Sequence, residues 1–268
     1  MSEHPRRVTV LGQSVRVSVR PGTSPRPLVL CNGIGASLDL LQPFVDELDQ
    51  RIEVVRFDVP GVGGSPAPLV PYTFPGLAWF LGRLLDQLGY REFDVLGISW
   101  GGGLAQQLAF QFPRRCRRLV LVSTGTGSLM VPAHPRVLAK MMTPRRYVDA
   151  AYAASVAAEL YGGRLRDEPG RVRELLHDSS RVGSRKGYVF QLLAGAGWSS
   201  LPALPLIRQE TLILAGSDDP IIPLVNARIM QRLLPHAALE VYDDGHLGLV
   251  TAAAQLGPVV SEFVLAGR

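Results

Sequence analysis

The chain has 268 residues, 47% of them hydrophobic and 19% charged, which suits one large domain or a core with an insertion and excludes a disordered polymer. No apolar run nears the roughly 20 residues that span a bilayer, and "MSEHPRRVTV" has no apolar stretch of the signal-peptide kind, so neither a transmembrane segment nor a leader is expected. The net charge is +5, and all of the 28 basic residues except Lys140 and Lys186 are arginines, scattered in short groups such as Arg114–Arg115 and Arg117–Arg118. No nucleic-acid motif accompanies them, so they read as a solvated surface and no nucleic-acid partner is expected. Cys31 and Cys116 match no metal or redox spacing. They read as two buried thiols in a reducing, cytoplasmic setting. No metal and no cofactor are expected.

In chain order, "RRVTVLG" and "SVRVSVR" alternate apolar and polar and predict a hairpin around Gly12–Gln13. "PLVLCNG" is a continuous apolar run, as expected of a strand covered on both faces. Helical spacing of Leu41, Phe44, Val45 and Leu48 predicts a helix over "DLLQPFVDELDQ". "IEVVRFD" is the next strand, then a long loop, then a helix over 76–89 with Gly89 as its stop. Strand "FDVLGI", helix "GLAQQLAFQF" and strand "RLVLVST" follow. Residues 125–205 break the alternation and look helical and irregular. Regularity returns with strand "TLILAGSDD", helix "NARIMQRLL", strand "ALEVYDD" and a final helix over 250–265. Strands alternating with helices predict a mostly parallel sheet covered on both faces, with the hairpin at one edge. The core is expected over 1–124 and 206–268, with 125–205 inserted as a mainly helical cap.

"GISWGGG" joins the strand "FDVLGI" to the helix after it. Gly97-Ile98-Ser99-Trp100-Gly101 fits G-x-S-x-G in the context that gives the motif meaning, a strand before and a helix after. Ser99 is therefore a candidate nucleophile; an N-capping serine in a Gly-rich turn is the plainer alternative. A serine hydroxyl needs a base. Of the five histidines, His246 in "DDGHLG" follows the C-terminal end of a strand, the edge where Ser99 sits and where open α/β sheets build sites. His4 lies in the tail, His134 and His177 in the insertion, and His236 at the other end of the sheet. "GSDDPIIP" offers Asp218 and Asp219 as the orienting acid; its spacing favours Asp219, leaving Asp218 to face solvent or cap the turn. Asp243 and Asp244 read as turn formers. The order Ser, Asp, His is that of α/β-hydrolases. Oxyanion donors are expected from the backbone N–H groups of Trp100 and Ile34, the latter in "NGIGA", where Asn32 either orients the loop or is an ordinary turn residue. "FDVPGVGGS" lacks the Lys-Ser/Thr ending of a phosphate loop and reads as structural.

Segments beyond these motifs carry a closer likeness. "NGIGA", "FDVPGVGGS", "FPGLA", "GISWGG", "PRRYV", "LYGG", "GWSS", "AGSDDPIIPL" and "DDGHL" together resemble the intracellular depolymerases of medium-chain-length polyhydroxyalkanoates. The resemblance implies an α/β-hydrolase with nucleophile Ser99, acid Asp219 and base His246. It also implies a polyester of 3-hydroxy fatty acids as substrate and a polyester granule surface as workplace. Gly103 stands where a small residue such as Ala is expected. The insertion's apolar stretches, with Trp198, Met130, Met141 and Met142, read either as a lid for alkyl chains or as ordinary packing. A small-ester or lactone hydrolase, or a C–C bond hydrolase, on the same fold is the alternative; a non-enzymatic ligand receptor has no need of His246 and Asp219.

Overall fold

The computed structural model describes residues 4–178 and 183–267. Its strands are β1 (Arg6–Val10), β2 (Gln13–Arg20), β3 (Leu28–Cys31), β4 (Val54–Phe57), β5 (Phe93–Ile98), β6 (Cys116–Val122), β7 (Glu210–Gly216) and β8 (Ala237–Tyr242). They form one sheet in the order β1-β2-β4-β3-β5-β6-β7-β8. From β4 to β8 every neighbouring pair is parallel. β2 runs antiparallel to both β1 and β4. The hairpin turn is Leu11–Gly12, with φ of 50° and 80°, one residue earlier than expected. Two successive positive φ angles match the twist of a two-residue hairpin.

The helices are α1 (Gln42–Asp46), α2 (Phe74–Gln87), α3 (Trp100–Gln111), α4 (Pro135–Met141), α5 (Arg145–Val148), α6 (Ala150–Tyr161), α7 (Arg171–Arg173), α8 (Arg185–Ala196), α9 (Val225–Leu233), α10 (Gly248–Thr251) and α11 (Ala253–Leu265). Period-two alternation sends Leu28, Leu30, Leu96 and Ile98 to one face of the sheet, against α1, α10 and α11. Val29, Cys31, Val95 and Leu121 go to the other face, against α2, α3 and α9. The apolar runs of β3 and β5 are buried throughout because both faces are covered. Among the described residues, no helix is long and apolar enough to cross a membrane.

Three element ends differ from expectation for visible reasons. α2 starts two residues early because the Thr73 hydroxyl accepts from Gly76 N–H at 3.3 Å and Pro75 suits the first turn. α1 is short although its apolar positions are buried. The Arg20 guanidinium takes the carbonyls of Val45, Leu48, Asp49 and Ile52, at and beyond the C-terminal end of α1. The last helix is divided at Ala252, whose φ of −116° and ψ of 30° separate α10 from α11.

The arginines are less solvated than their scatter implied. Arg16 pairs with Asp39 and with buried Asp58, Arg117 with buried Asp94, and Arg118 with Glu210. Cys31 and Cys116 are both free and buried, and burial pushes both thiols far up from their usual range.

Candidate active site

Ser99 leaves β5 and opens α3 with φ 55° and ψ −122°. A non-glycine residue avoids that region because Cβ crowds the backbone. Such a conformation costs on the order of 1–3 kcal/mol and persists only where its surroundings enforce it. Here Ser99 N–H donates to the Val122 carbonyl at 2.9 Å. Its own carbonyl accepts from Thr124 Oγ1 at 2.7 Å. The glycines around it permit the close packing: a Cβ on Gly101 would lie 2.1 Å from the Cys31 carbonyl oxygen, and one on Gly97 would lie 2.3 Å from the Gly101 oxygen.

The turn after β8 brings His246 to this serine. His246 N–H donates to the Tyr161 carbonyl at 2.7 Å, so the end of α6 fixes the turn. Its Nε2 stands 3.0 Å from Ser99 Oγ. Its Nδ1 stands 3.0 and 2.9 Å from the two Asp219 oxygens. A carboxylate only accepts, so Nδ1 carries the proton and Nε2 accepts from the Ser99 hydroxyl. Asp219 Oδ1 also accepts from Ile221 and Ile222 N–H, each at 2.9 Å, which fixes the carboxylate's direction. His246 and Asp219 are buried.

Asp218 turns the other way. It accepts from Gly163 N–H and pairs with Arg166, whose guanidinium holds its carboxyl below the usual range. Asp244 does more than form a turn. It is buried and accepts from Gly245 N–H, Arg164 N–H and the Thr251 hydroxyl, tying the segment after α6 to α10. His134 accepts from Arg136 N–H at the start of α4. His236 lies in a cleft of about 1220 Å³ at the opposite end of the sheet, far from Ser99. Among the described residues, no cluster of His, Cys, Asp and Glu could hold a metal ion.

The loop after β3 passes close over Ser99: a Cβ on Gly33 would sit 3.7 Å from that of Ser99. Asn32 orients this loop, accepting from Gly33 N–H at 2.8 Å and donating to the Ser37 carbonyl at 2.6 Å. Neither Ile34 N–H nor Trp100 N–H donates to an acceptor among the described residues. Two side chains from the segment between β6 and β7 grip the same loop. Tyr147 Oη donates to the Ile34 carbonyl, and Gln191 Oε1 accepts from Gly35 N–H, both at 2.7 Å. The Gln191 carbonyl accepts the Trp100 indole N–H at 2.8 Å. The "FDVPGVGGS" loop is held by Asp58, which accepts from Leu38 and Gly64 N–H.

The cavity over Ser99 and His246 has a volume of only about 30 Å³. Its lining includes Arg146, Tyr147 and Tyr161, none of which sequence reasoning singled out. Their only signal lay inside the blocks "PRRYV" and "LYGG", which carried a resemblance but no role. Met141 also lines it, whereas Met142 is exposed. Trp198 packs on Phe74 with ring centroids 4.6 Å apart and donates to Gln107, so it belongs to the packing of α2 on α3.

The profile of a known family, described by its alpha/beta hydrolase fold, matches residues 26–253. The chain belongs to the α/β-hydrolase family. Among this hydrolase's relatives is the poly(3-hydroxyalkanoate) depolymerase of Ectopseudomonas oleovorans, 48% identical over 97% of this chain and 92% of that one. The 3-oxoadipate enol-lactonase 2 of Acinetobacter baylyi is 28% identical over 85% of each chain. The solved enol-lactonase of Burkholderia xenovorans LB400 superposes with a TM-score of 0.83 at 23% identity, covering 97% of this hydrolase and all of that chain, a likeness of fold alone.

Proposed function

We propose that this α/β-hydrolase cleaves the ester bonds of a polyhydroxyalkanoate storage polyester through an acyl-enzyme on Ser99. The observation that carries the chemistry is the hydrogen-bonded run from Ser99 Oγ through His246 to Asp219. The substrate class is supported by the relative that shares 48% of its residues over nearly the whole chain. His246 Nε2 takes the Ser99 proton as Oγ bonds to the ester carbonyl carbon. The oxyanion that forms is held by the Ile34 and Trp100 N–H groups, each such donor typically being worth about 3–4 kcal/mol of barrier. His246 then gives its proton to the departing alcohol oxygen. Water, deprotonated by His246, attacks the acyl-enzyme and releases a 3-hydroxy acid or oligomer and free Ser99. Asp219 keeps the proton on Nδ1 and stabilises the imidazolium.

We assign residues 125–205 the role of a cap. Tyr147 and Gln191 of that segment reach the proposed oxyanion loop, and its α4–α8 region supplies one wall of the cavity. The workplace is the surface of a polyester granule. A second reading, hydrolysis of a small ester or lactone, draws on the 30 Å³ cavity, which as it stands holds about one water. A fluorophosphonate probe should label the wild-type protein and leave Ser99→Ala unlabelled. Emulsified medium-chain polymer run beside p-nitrophenyl esters separates the readings: turnover of the small esters with none of the polymer favours the second.

A further inference from the structure

We infer that the Tyr161 hydroxyl, backed by the Arg146 guanidinium, forms a polar subsite for an acceptor oxygen on C3 of the acyl group carried by Ser99. This rests on the reading that Ser99 takes up an acyl group.

The cavity over Ser99 is walled largely by aliphatic side chains, among them Leu40, Ile98, Leu176 and Ile221. Most polar side chains in its lining are engaged: Asn32 with the loop backbone, Tyr147 with the Ile34 carbonyl, Ser99 and His246 with each other. Tyr161 differs. It is 3% exposed, and its phenolic oxygen has no hydrogen-bond partner among the described residues. A buried hydroxyl in a native protein is normally satisfied, so an unpaired one on a residue that lines a binding cavity points to a partner that arrives with the ligand. Burial pushes the phenol up, so it stays protonated and can donate.

Arg146 decides what kind of partner. It is 1% exposed, its guanidinium carbon lies 4.7 Å from the Tyr147 ring centroid, and Nη1 donates to Tyr188 Oη at 3.0 Å. A fixed positive charge beside Tyr161 disfavours a ligand donor or cation and favours a lone-pair oxygen. Position sets which oxygen. The Tyr161 carbonyl is bonded to His246 N–H, so this residue is tied to the base and not to the far end of an alkyl chain. An ester with an alkyl tail and an acceptor oxygen close to its carbonyl is a 3-oxygenated acyl ester. In a polymer that oxygen belongs to the next ester link. A plain fatty acyl ester lacks it.

The test compares p-nitrophenyl 3-hydroxyoctanoate with p-nitrophenyl octanoate on the wild-type protein and on Tyr161→Phe. The ratio of kcat/KM values, 3-hydroxy over plain, is expected to exceed one and to fall about tenfold in the variant, the size of one substrate hydrogen bond. An unchanged ratio overturns the subsite. Calorimetry on Ser99→Ala supplies a reading independent of turnover and of the variant's folding: 3-hydroxyoctanoate should bind more tightly than octanoate, and equal binding contradicts the proposal. Preference for the 3-hydroxy compound without polymer hydrolysis leaves the subsite standing and removes the polyester reading.

Discussion

Asp218 and Asp219 are sequence neighbours with opposite surroundings. Asp219 is buried against His246, and Asp218 is about half exposed beside Arg166. Asp219→Asn should lower kcat by roughly 10⁴-fold with KM little changed, because the imidazole then loses its tautomer and its counter-charge. Asp218→Asn should leave kcat within a few-fold and cost at most about 1 kcal/mol, since exposed ion pairs contribute little. Steady-state kinetics on a soluble ester and thermal melts check both. The glycines after Ser99 make a second contrast. Gly101→Ala drives Cβ into the Cys31 backbone oxygen, which cannot step aside, whereas at Gly103 the nearest atoms are ring carbons of Phe74 and Trp198 at 3.1 Å. Urea denaturation should show Gly101→Ala losing about 3 kcal/mol or more and Gly103→Ala about 1 kcal/mol. The sequence made Ser99, Asp219 and His246 readable because each follows a strand end in a fixed order. It hid Arg146, which in "PRRYV" looks like one more surface arginine. Its burial depends on Tyr147 and Tyr188, from helices far apart in sequence.

The strands were legible because period-two alternation and continuous apolar runs are local signals, and the sheet they predict is the sheet observed. The segment from α4 to α8 was not. Its helices range from three residues in α7 to twelve in α6 and α8, and α6 and α8 each end at a glycine. Two of the segment's helices are tied by side-chain bonds to the loop after β3, which no spacing rule reveals. α5 and α8 each send one side chain to that loop, Tyr147 to Ile34 and Gln191 to Gly35. The same α8 residue receives the Trp100 indole. If Ile34 and Trp100 hold the oxyanion, any shift of α8 alters both donors. Gln191→Ala should therefore lower kcat about tenfold or more while KM changes little, since the loss falls on the transition state. A rise in KM alone, with kcat intact, would mean that Gln191 serves ground-state binding. The cavity as it stands has room for about one water, less than an acyl chain on Ser99 would fill.

At the scale of the molecule, both faces of the sheet are covered, and Ser99 rises at the C-terminal end of β5 between the loop after β3 and the turn after β8. The fold brings together there the Ser99 hydroxyl, the His246 imidazole bonded to Asp219, two backbone N–H groups that meet no acceptor among the described residues, and a largely aliphatic cavity. The cleft that holds His236, at the opposite end, has arginines paired with acids, among them Arg26 with Glu92 and Arg117 with Asp94. On the proposed function, this arrangement works on a polyester. The most direct test of this claim is chain-length-resolved analysis of what is released from an emulsified medium-chain polyhydroxyalkanoate by the wild-type protein and by Ser99→Ala. Release of 3-hydroxy acids or their short oligomers by the wild type, and none by the variant, is the expected result; no release by the wild type while it turns over p-nitrophenyl esters, or equal release by both, would contradict the claim.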